Sequence, residues 1–193
     1  MKHLYLLRHG KSSWDDPDLA DADRPLAPRG VRALARMRKY LKEEKIRPDL
    51  VICSPARRTR HTLAEVEPVL GRDVTVRIEP AVYEGGAGAL VDLIGSTPDS
   101  ASSIMLIGHN PSLQDLAVSL VVAGDPALLA RLAEKFPTGA LAVIGVPLDA
   151  WRDLGEGSGR LEELVLPREL GRAQFGISVP DQLVAEVVRS VLP

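Results

Sequence analysis

Short runs of apolar side chains recur along the chain, each closed by polar residues. Leu4-Tyr5-Leu6-Leu7 ends at Arg8-His9-Gly10, Leu50-Val51-Ile52-Cys53 at Ser54-Pro55, and Ile104-Met105-Leu106-Ile107 at Gly108-His109-Asn110-Pro111. Runs without polar alternation predict strands covered on both faces. Between them the period changes. Val31, Leu34, Ala35 and Leu41 recur at helical spacing and predict a helix from Pro28 to about Lys45. Ser54 as N-cap and Pro55 at the first helical position predict a second helix to about Leu70. Val74 to Ile78 alternates weakly as a third strand, and Gly85-Gly86 leads into a helix over 87–95. Gly108 to Pro111 reads as a turn, a cap and a proline at another helix start. Leu141 to Val146 and Leu161 to Leu166 predict two later strands, linked by the turn Gly155-Glu156-Gly157-Ser158-Gly159. Apolar residues at 183, 184, 187, 188, 191 and 192 predict an amphipathic C-terminal helix over about 179–192. The whole, residues 1–193, reads as one three-layer α/β domain with a mainly parallel sheet between helices.

Composition narrows the class. A chain of 193 residues, 45% hydrophobic and 26% charged, has the balance of a globular domain that needs no disulfide or metal staple. The net charge of −2 gives no basic excess for nucleic acid. Cys53 is the only cysteine, so no internal disulfide forms. No apolar stretch is long enough for a bilayer, and the apolar N-terminus stops at Arg8-His9 without a cleavage site. A cytoplasmic protein with no membrane partner is expected. Oligomeric state stays open, because the C-terminal helix can cover its own domain or a twin.

Polar residues thus stand just past the C-terminal ends of three buried strands, where ligands bind in open α/β sheets. Two histidines, His9 and His109, and at least one arginine converge on one crevice. No metal-binding carboxylates accompany them. The set suits a phosphoryl group, which needs positive donors around three oxygens and a nucleophile in line. The four histidines form no His-Glu-x-x-His pattern, so no metal or other cofactor is implied.

Three ordered motifs carry a family resemblance over roughly the first 125 residues. Arg8-His9-Gly10, Ser54-Pro55-x-x-Arg58-x-x-x-Thr62 and Gly108-His109-Asn110 resemble the signature of the histidine phosphatase superfamily, which includes the phosphoglycerate mutases. The short length, without a large cap domain, and Phe136-Pro137-Thr138-Gly139-Ala140 are similar to its small phosphohistidine phosphatase branch, the SixA-like proteins. The resemblance implies a phosphoglycerate mutase-like fold and a metal-independent phosphatase with His9 as nucleophile. It makes Arg8 and Arg58 the phosphate ligands and His109 a further donor, with Asn110 beside it. Glu84 falls where mutase-like members carry a glutamate, and would protonate an ester leaving group. An imidazole leaving group needs little such help.

Lys11-Ser12-Ser13-Trp14-Asp15 departs from the mutase pattern, which ends in asparagine; an aspartate there repels a phosphate dianion. Lys11, Ser12 and Ser13 stay as candidate substrate contacts. The expected substrate is phosphohistidine on a protein. The alternatives are a small phosphorylated metabolite, such as a sugar or nucleotide phosphate, and a non-catalytic phosphate-binding module.

Other features have plainer readings. Cys53 does not open a Cys-x5-Arg nucleophile motif, because Thr59 stands six beyond it and Arg58 comes one too early; it reads as a core residue. Arg57 and His61 share the face beside Arg58 and belong at the rim. A tryptophan in a polar loop, Trp14, is expected to pack over the rim or anchor the loop. Arg29, Arg32, Arg36 and Lys39 form a solvated helix stripe, with docking of an acidic protein as the sharper reading.

Overall fold

The computed structural model describes residues 1–171. The predicted helix over 179–192 lies outside them. Seven strands, β1 (Lys2–Arg8), β2 (Leu50–Cys53), β3 (Thr75–Ile78), β4 (Ser103–Gly108), β5 (Val121–Gly124), β6 (Leu141–Val146) and β7 (Gly159–Val165), form one sheet in the order β3-β2-β4-β1-β6-β7-β5. All neighbours pair in parallel except β6, which runs antiparallel to β1 and β7. The helices are α1 (Pro28–Glu43), α2 (Arg57–Leu70), α3 (Ala81–Glu84), α4 (Ala87–Gly95), α5 (Ser112–Leu120) and α6 (Pro126–Glu134). This is the expected mainly parallel α/β domain.

The continuous apolar runs follow from the sheet's two covered faces. Leu4, Leu6, Leu50, Ile52, Ile104 and Leu106 pack on one side with Leu90 and Ile94 of α4 and Leu113, Leu116 and Leu120 of α5. The alternate residues Leu7, Val51, Cys53, Met105 and Ile107 pack on the other with Met37 and Leu41 of α1 and Leu63, Val66 and Leu70 of α2. A one-residue slip in any strand would exchange these sets, so the register is firmly specified. That register sets the site: Arg8 pairs with Gly108 and Cys53 with Ile107, so β1, β2 and β4 end level.

Several local readings change. Ser54 is not an N-cap: α2 begins three residues later, after Ala56, with no side-chain cap. Pro111 likewise precedes α5 as its N-cap rather than sitting inside it. Val31 is exposed, and the inner face of α1 is Gly30, Leu34, Met37 and Leu41. Gly30 is required there, because a Cβ would lie 2.3 Å from the Lys11 carbonyl oxygen. The connection between β5 and β6, residues 125–140, contains α6. Its start was visible in sequence, since Asp125 accepts hydrogen bonds from the Ala127 and Leu128 amides and Pro126 follows it. The Gly155–Gly159 segment is only part of the β6–β7 connection, which also carries a 3-10 turn over Trp151–Asp153.

Candidate functional site

The level ends of β1, β2 and β4 bring His9, Ser54 and His109 together. His9 and His109 are buried, with ring centroids 5.1 Å apart. Backbone bonds seat both turns: His9 N–H donates to the Gly108 carbonyl (3.1 Å) and Ser54 N–H to that of Ile107 (3.1 Å). Thr62 ties α2 to the same place. Its hydroxyl donates to the Arg58 carbonyl (2.7 Å) and accepts the Gly10 amide (3.0 Å). The four-residue spacing of Arg58 and Thr62 therefore serves one face, as expected.

His9 Nδ1 lies 2.7 Å from the Gly10 carbonyl oxygen, which can only accept, so Nδ1 carries the proton and Nε2 is the basic nitrogen. Burial, with the charges of His109, Arg58 and Arg8, lowers the His9 pKa to about 3, against the opposing Gly10 bond. The ring is neutral at physiological pH, as a nucleophile must be. His109 is lowered to about 4, by burial first and then by the Arg58 and Arg8 charges, with Asp21 opposing. Its Nε2 is 2.7 Å from Ser54 Oγ. Ser54 Oγ already accepts the Ala56 amide (3.3 Å), so its own proton is free for Nε2. The tautomer consistent with this holds its proton on Nδ1, a buried nitrogen without a partner.

Arg8 donates through one terminal nitrogen to the Phe136 carbonyl (2.7 Å), and its Nε is buried without a partner. Burial and the nearby Arg58 charge lower its pKa. Arg58 Nε is likewise buried and unpartnered, while its terminal nitrogens bind Asp21, at the carbonyl (2.6 Å) and the carboxylate (2.9 Å). Asp21 also accepts the Tyr83 hydroxyl (3.0 Å). Burial alone would raise the Asp21 pKa, but the hydrogen bonds from Arg58 and Tyr83 and the Arg58 and Arg24 charges outweigh it and lower it. Tyr83 meets the His109 ring edge-on at 5.4 Å. Asp21 and Tyr83 are site residues that sequence reasoning missed.

The remaining candidates divide. Asn110 donates to the Phe136 carbonyl (3.1 Å) and to Gln114 (3.0 Å), leaving its buried Oδ1 unpartnered. Lys11 is half-buried two residues past His9. Ser12 is buried and accepts from Arg24 (3.0 Å), and Ser13 donates to the Asp15 carboxylate (2.6 Å), so both hydroxyls are engaged within their own loop. Trp14 is exposed but stacks within its own loop, with the Arg24 guanidinium 3.4 Å from its ring centre. Glu84 is exposed at the end of α3, and its carboxylate makes no hydrogen bond or ion pair among the described residues. Arg57 is exposed at the rim, 3.4 Å from the Asp23 carbonyl. Cys53 is a buried thiol pushed up to about 12, chiefly by burial. Among the described residues, no three His, Cys, Asp or Glu side chains are grouped to hold a metal ion, and no helix is long and apolar enough to cross a membrane.

Comparison with known proteins agrees with this geometry. The family model for the histidine phosphatase superfamily (branch 1) matches residues 4–100. An uncharacterised protein of Mycobacterium tuberculosis is 35% identical over 164 residues, covering 84% of this chain and 100% of its own. The phosphohistidine phosphatase SixA of Escherichia coli is 27% identical over 143 residues, covering 73% of this chain and 83% of its own. Among solved structures, a SixA protein of Nakamurella multipartitia, itself proposed to be a phosphohistidine phosphatase, superposes with a TM-score of 0.75. It is 30% identical, over 86% of this chain and 96% of that one.

Proposed function

The chain belongs to the histidine phosphatase superfamily, and on that premise we propose that it hydrolyses protein phosphohistidine through a phosphoryl group carried on His9. One observation carries the reading. A buried neutral imidazole, oriented by the Gly10 carbonyl, stands beside three buried nitrogens without partners: Arg8 Nε, Arg58 Nε and His109 Nδ1. Buried donors left unpaired cost about 1–3 kcal/mol each. A phosphoryl group, with three oxygens, supplies the missing acceptors.

In the first step the His9 Nε2 lone pair attacks phosphorus. The bond from phosphorus to the substrate's imidazole nitrogen breaks, and that nitrogen leaves with the bonding pair and takes a proton. Arg8, Arg58 and His109 hold the phosphoryl oxygens as charge moves between nucleophile and leaving group. In the second step water attacks phosphorus, its oxygen bonds, one proton is lost, and the phosphorus–Nε2 bond breaks to release phosphate and free His9. An imidazole leaves readily, whereas an alkoxide needs a proton. Glu84 is the proposed donor for ester substrates. Asp21 is a poor one, because Arg58 and Tyr83 hold it as carboxylate.

The E. coli relative, a phosphohistidine phosphatase, supports the protein substrate over a metabolite. The test measures phosphate release in EDTA from a phosphohistidine protein and from p-nitrophenyl phosphate, with wild type and His9→Ala. Faster turnover of the phosphohistidine protein, abolished in the variant, supports the reading. Turnover of the ester alone moves the substrate to the metabolites, and turnover of neither favours a binding module.

A further inference from the structure

Beside the site lies an open groove of about 600 Å³, between α1, the end of α6 and the segment after β7. Its inner wall includes Pro137 and Thr138. The residues on either side of these face the catalytic floor: the Phe136 carbonyl receives Arg8, and the Gly139 amide donates to the carbonyls of Arg8 (3.1 Å) and His9 (2.9 Å). Lys11, two residues past His9, lines the groove as well. Groove and phosphate site are thus two sides of one wall.

The groove is cationic. Lys11, Arg29, Arg36, Arg131, Lys135 and Arg168 line it, against one lining carboxylate, Glu134. Part of this charge is compensated. Arg131 pairs with Glu169 at 2.6 Å, with Arg168 at 3.9 Å from the same oxygen. Arg36 donates to the Pro167 carbonyl (2.9 Å), a structural bond. Lys11, Arg29 and Lys135 have no acidic partner within 4 Å among the described residues. Like charges gathered around a concavity on a chain of net charge −2 create a local positive field, felt over roughly 8 Å at physiological salt.

The arrangement selects the kind of anion. A single phosphate is held by donors converging on one point. These cations line an open groove of about 600 Å³, far more room than one phosphate fills. A polypeptide segment carrying several carboxylates is complementary to that size and charge. The chain's own residues 172–193 do not supply it, since Asp181 and Glu186 are balanced there by Arg172 and Arg189. We propose that this groove docks an acidic segment of the phosphoprotein substrate, placing its phosphohistidine over His9. The proposal rests on the phosphohistidine reading and adds the recognition element.

Two synthetic phosphohistidine peptides, flanked by glutamates or by glutamines, test it against full-length wild type and the double variant R29S/K135S. Neither substituted residue belongs to the catalytic floor. Wild type should turn over the glutamate peptide with a kcat/KM about tenfold higher, a preference that shrinks with added salt. The variant should lose the preference yet hydrolyse phosphoramidate at the wild-type rate. Equal turnover of the two peptides by wild type overturns the groove while leaving the phosphatase reading intact. An equal loss on phosphoramidate also overturns it, as a structural effect. If neither peptide is cleaved, the protein-substrate reading fails, and poly-glutamate inhibition of p-nitrophenyl phosphate hydrolysis judges the groove separately. Inhibition of wild type but not of the variant upholds an acidic-polypeptide site. No inhibition, or inhibition by pyrophosphate alone through Arg29 and Lys135, overturns it.

Discussion

Arg8 on the site floor is half-buried and Arg24 in the neighbouring loop is buried, yet their surroundings are opposite. Arg24 lies 3.2 Å from the Asp21 carboxylate, donates to Ser12 and stacks on Trp14. Arg8 has no acidic partner among the described residues, and its neighbours His9, His109 and Arg58 are basic. Arg24 keeps two buried nitrogens without a hydrogen-bond partner, as Arg8 keeps one, but its charge is countered by a carboxylate within the loop, whereas that of Arg8 is not. Charge left uncompensated in a buried place disfavours the folded state and favours binding of an anion. On the proposed function, the difference separates residues that hold the site from residues that act in it.

Arg8→Ala sharpens the contrast most. It should lower kcat/KM by about 10²–10³, the loss expected for one donor to a developing charge, and should weaken inhibition by phosphate or vanadate. Steady-state kinetics with p-nitrophenyl phosphate checks it. If Arg24→Ala lowers kcat/KM as far without lowering the melting temperature, the contrast breaks.

The buried histidines predict a pH effect on stability. Both His9 and His109 have folded pKa values below the ordinary 6.5, at about 3 and about 4. The unfolded chain therefore binds more protons between those values and pH 6.5, and stability falls as pH falls through that window. Each histidine contributes a loss of about 1.6 kcal/mol from pH 6.5 to pH 5, the slope approaching about 1.4 kcal/mol per pH unit once the unfolded-state imidazole is fully protonated. Urea denaturation at the two pH values should show a shallower fall in His9→Gln than in wild type. Bound phosphate should flatten the wild-type profile.

Asp21 joins the two regions, since its carboxylate accepts from Arg58 and Tyr83 and faces Arg24. Asp21→Asn should free the Arg58 fork and strengthen phosphate inhibition by about threefold to tenfold, the scale of one partly exposed charge pair. An unchanged inhibition constant would mean that Arg58 binds phosphate through Nε alone.

The smallest effects belong to the loop hydroxyls. Ser12→Ala should cost about 1.5 kcal/mol of stability, the lower end for a hydrogen bond to a charged group, and leave kcat/KM within twofold. Ser13→Ala should change neither. A tenfold activity loss in either would return these residues to the substrate contacts that sequence alone proposed.

Much of the floor was legible because each of its residues sits within a few positions of an apolar run that must be a buried strand. Arg8, His9, Ser54, Arg58 and His109 need only the strand ends to be level, and parallel pairing provides that. The rim was not legible in the same way. Asp21 meets Arg58 across 37 positions and Tyr83 across 62, through loops whose paths no periodicity encodes. Ser54 shows the limit of local rules. Its pattern fits an N-cap, yet its hydroxyl is placed instead against His109, a partner 55 positions away. The basic stripe on α1 illustrates the same point. Arg29 and Arg36 of it line the groove, where they meet Lys135 and Arg168, which arrive from other elements that helix spacing on α1 does not reveal.

The central claim is that His9, and not His109, carries the phosphoryl group. Wild type mixed with excess phosphoramidate and quenched in alkali, where phosphohistidine survives, can be digested and mapped by mass spectrometry. A phosphoryl group on the peptide holding His9, lost in His9→Ala and retained in His109→Ala, is the predicted result. A phosphoryl group on His109, or hydrolysis that proceeds with none on either histidine, would contradict the account.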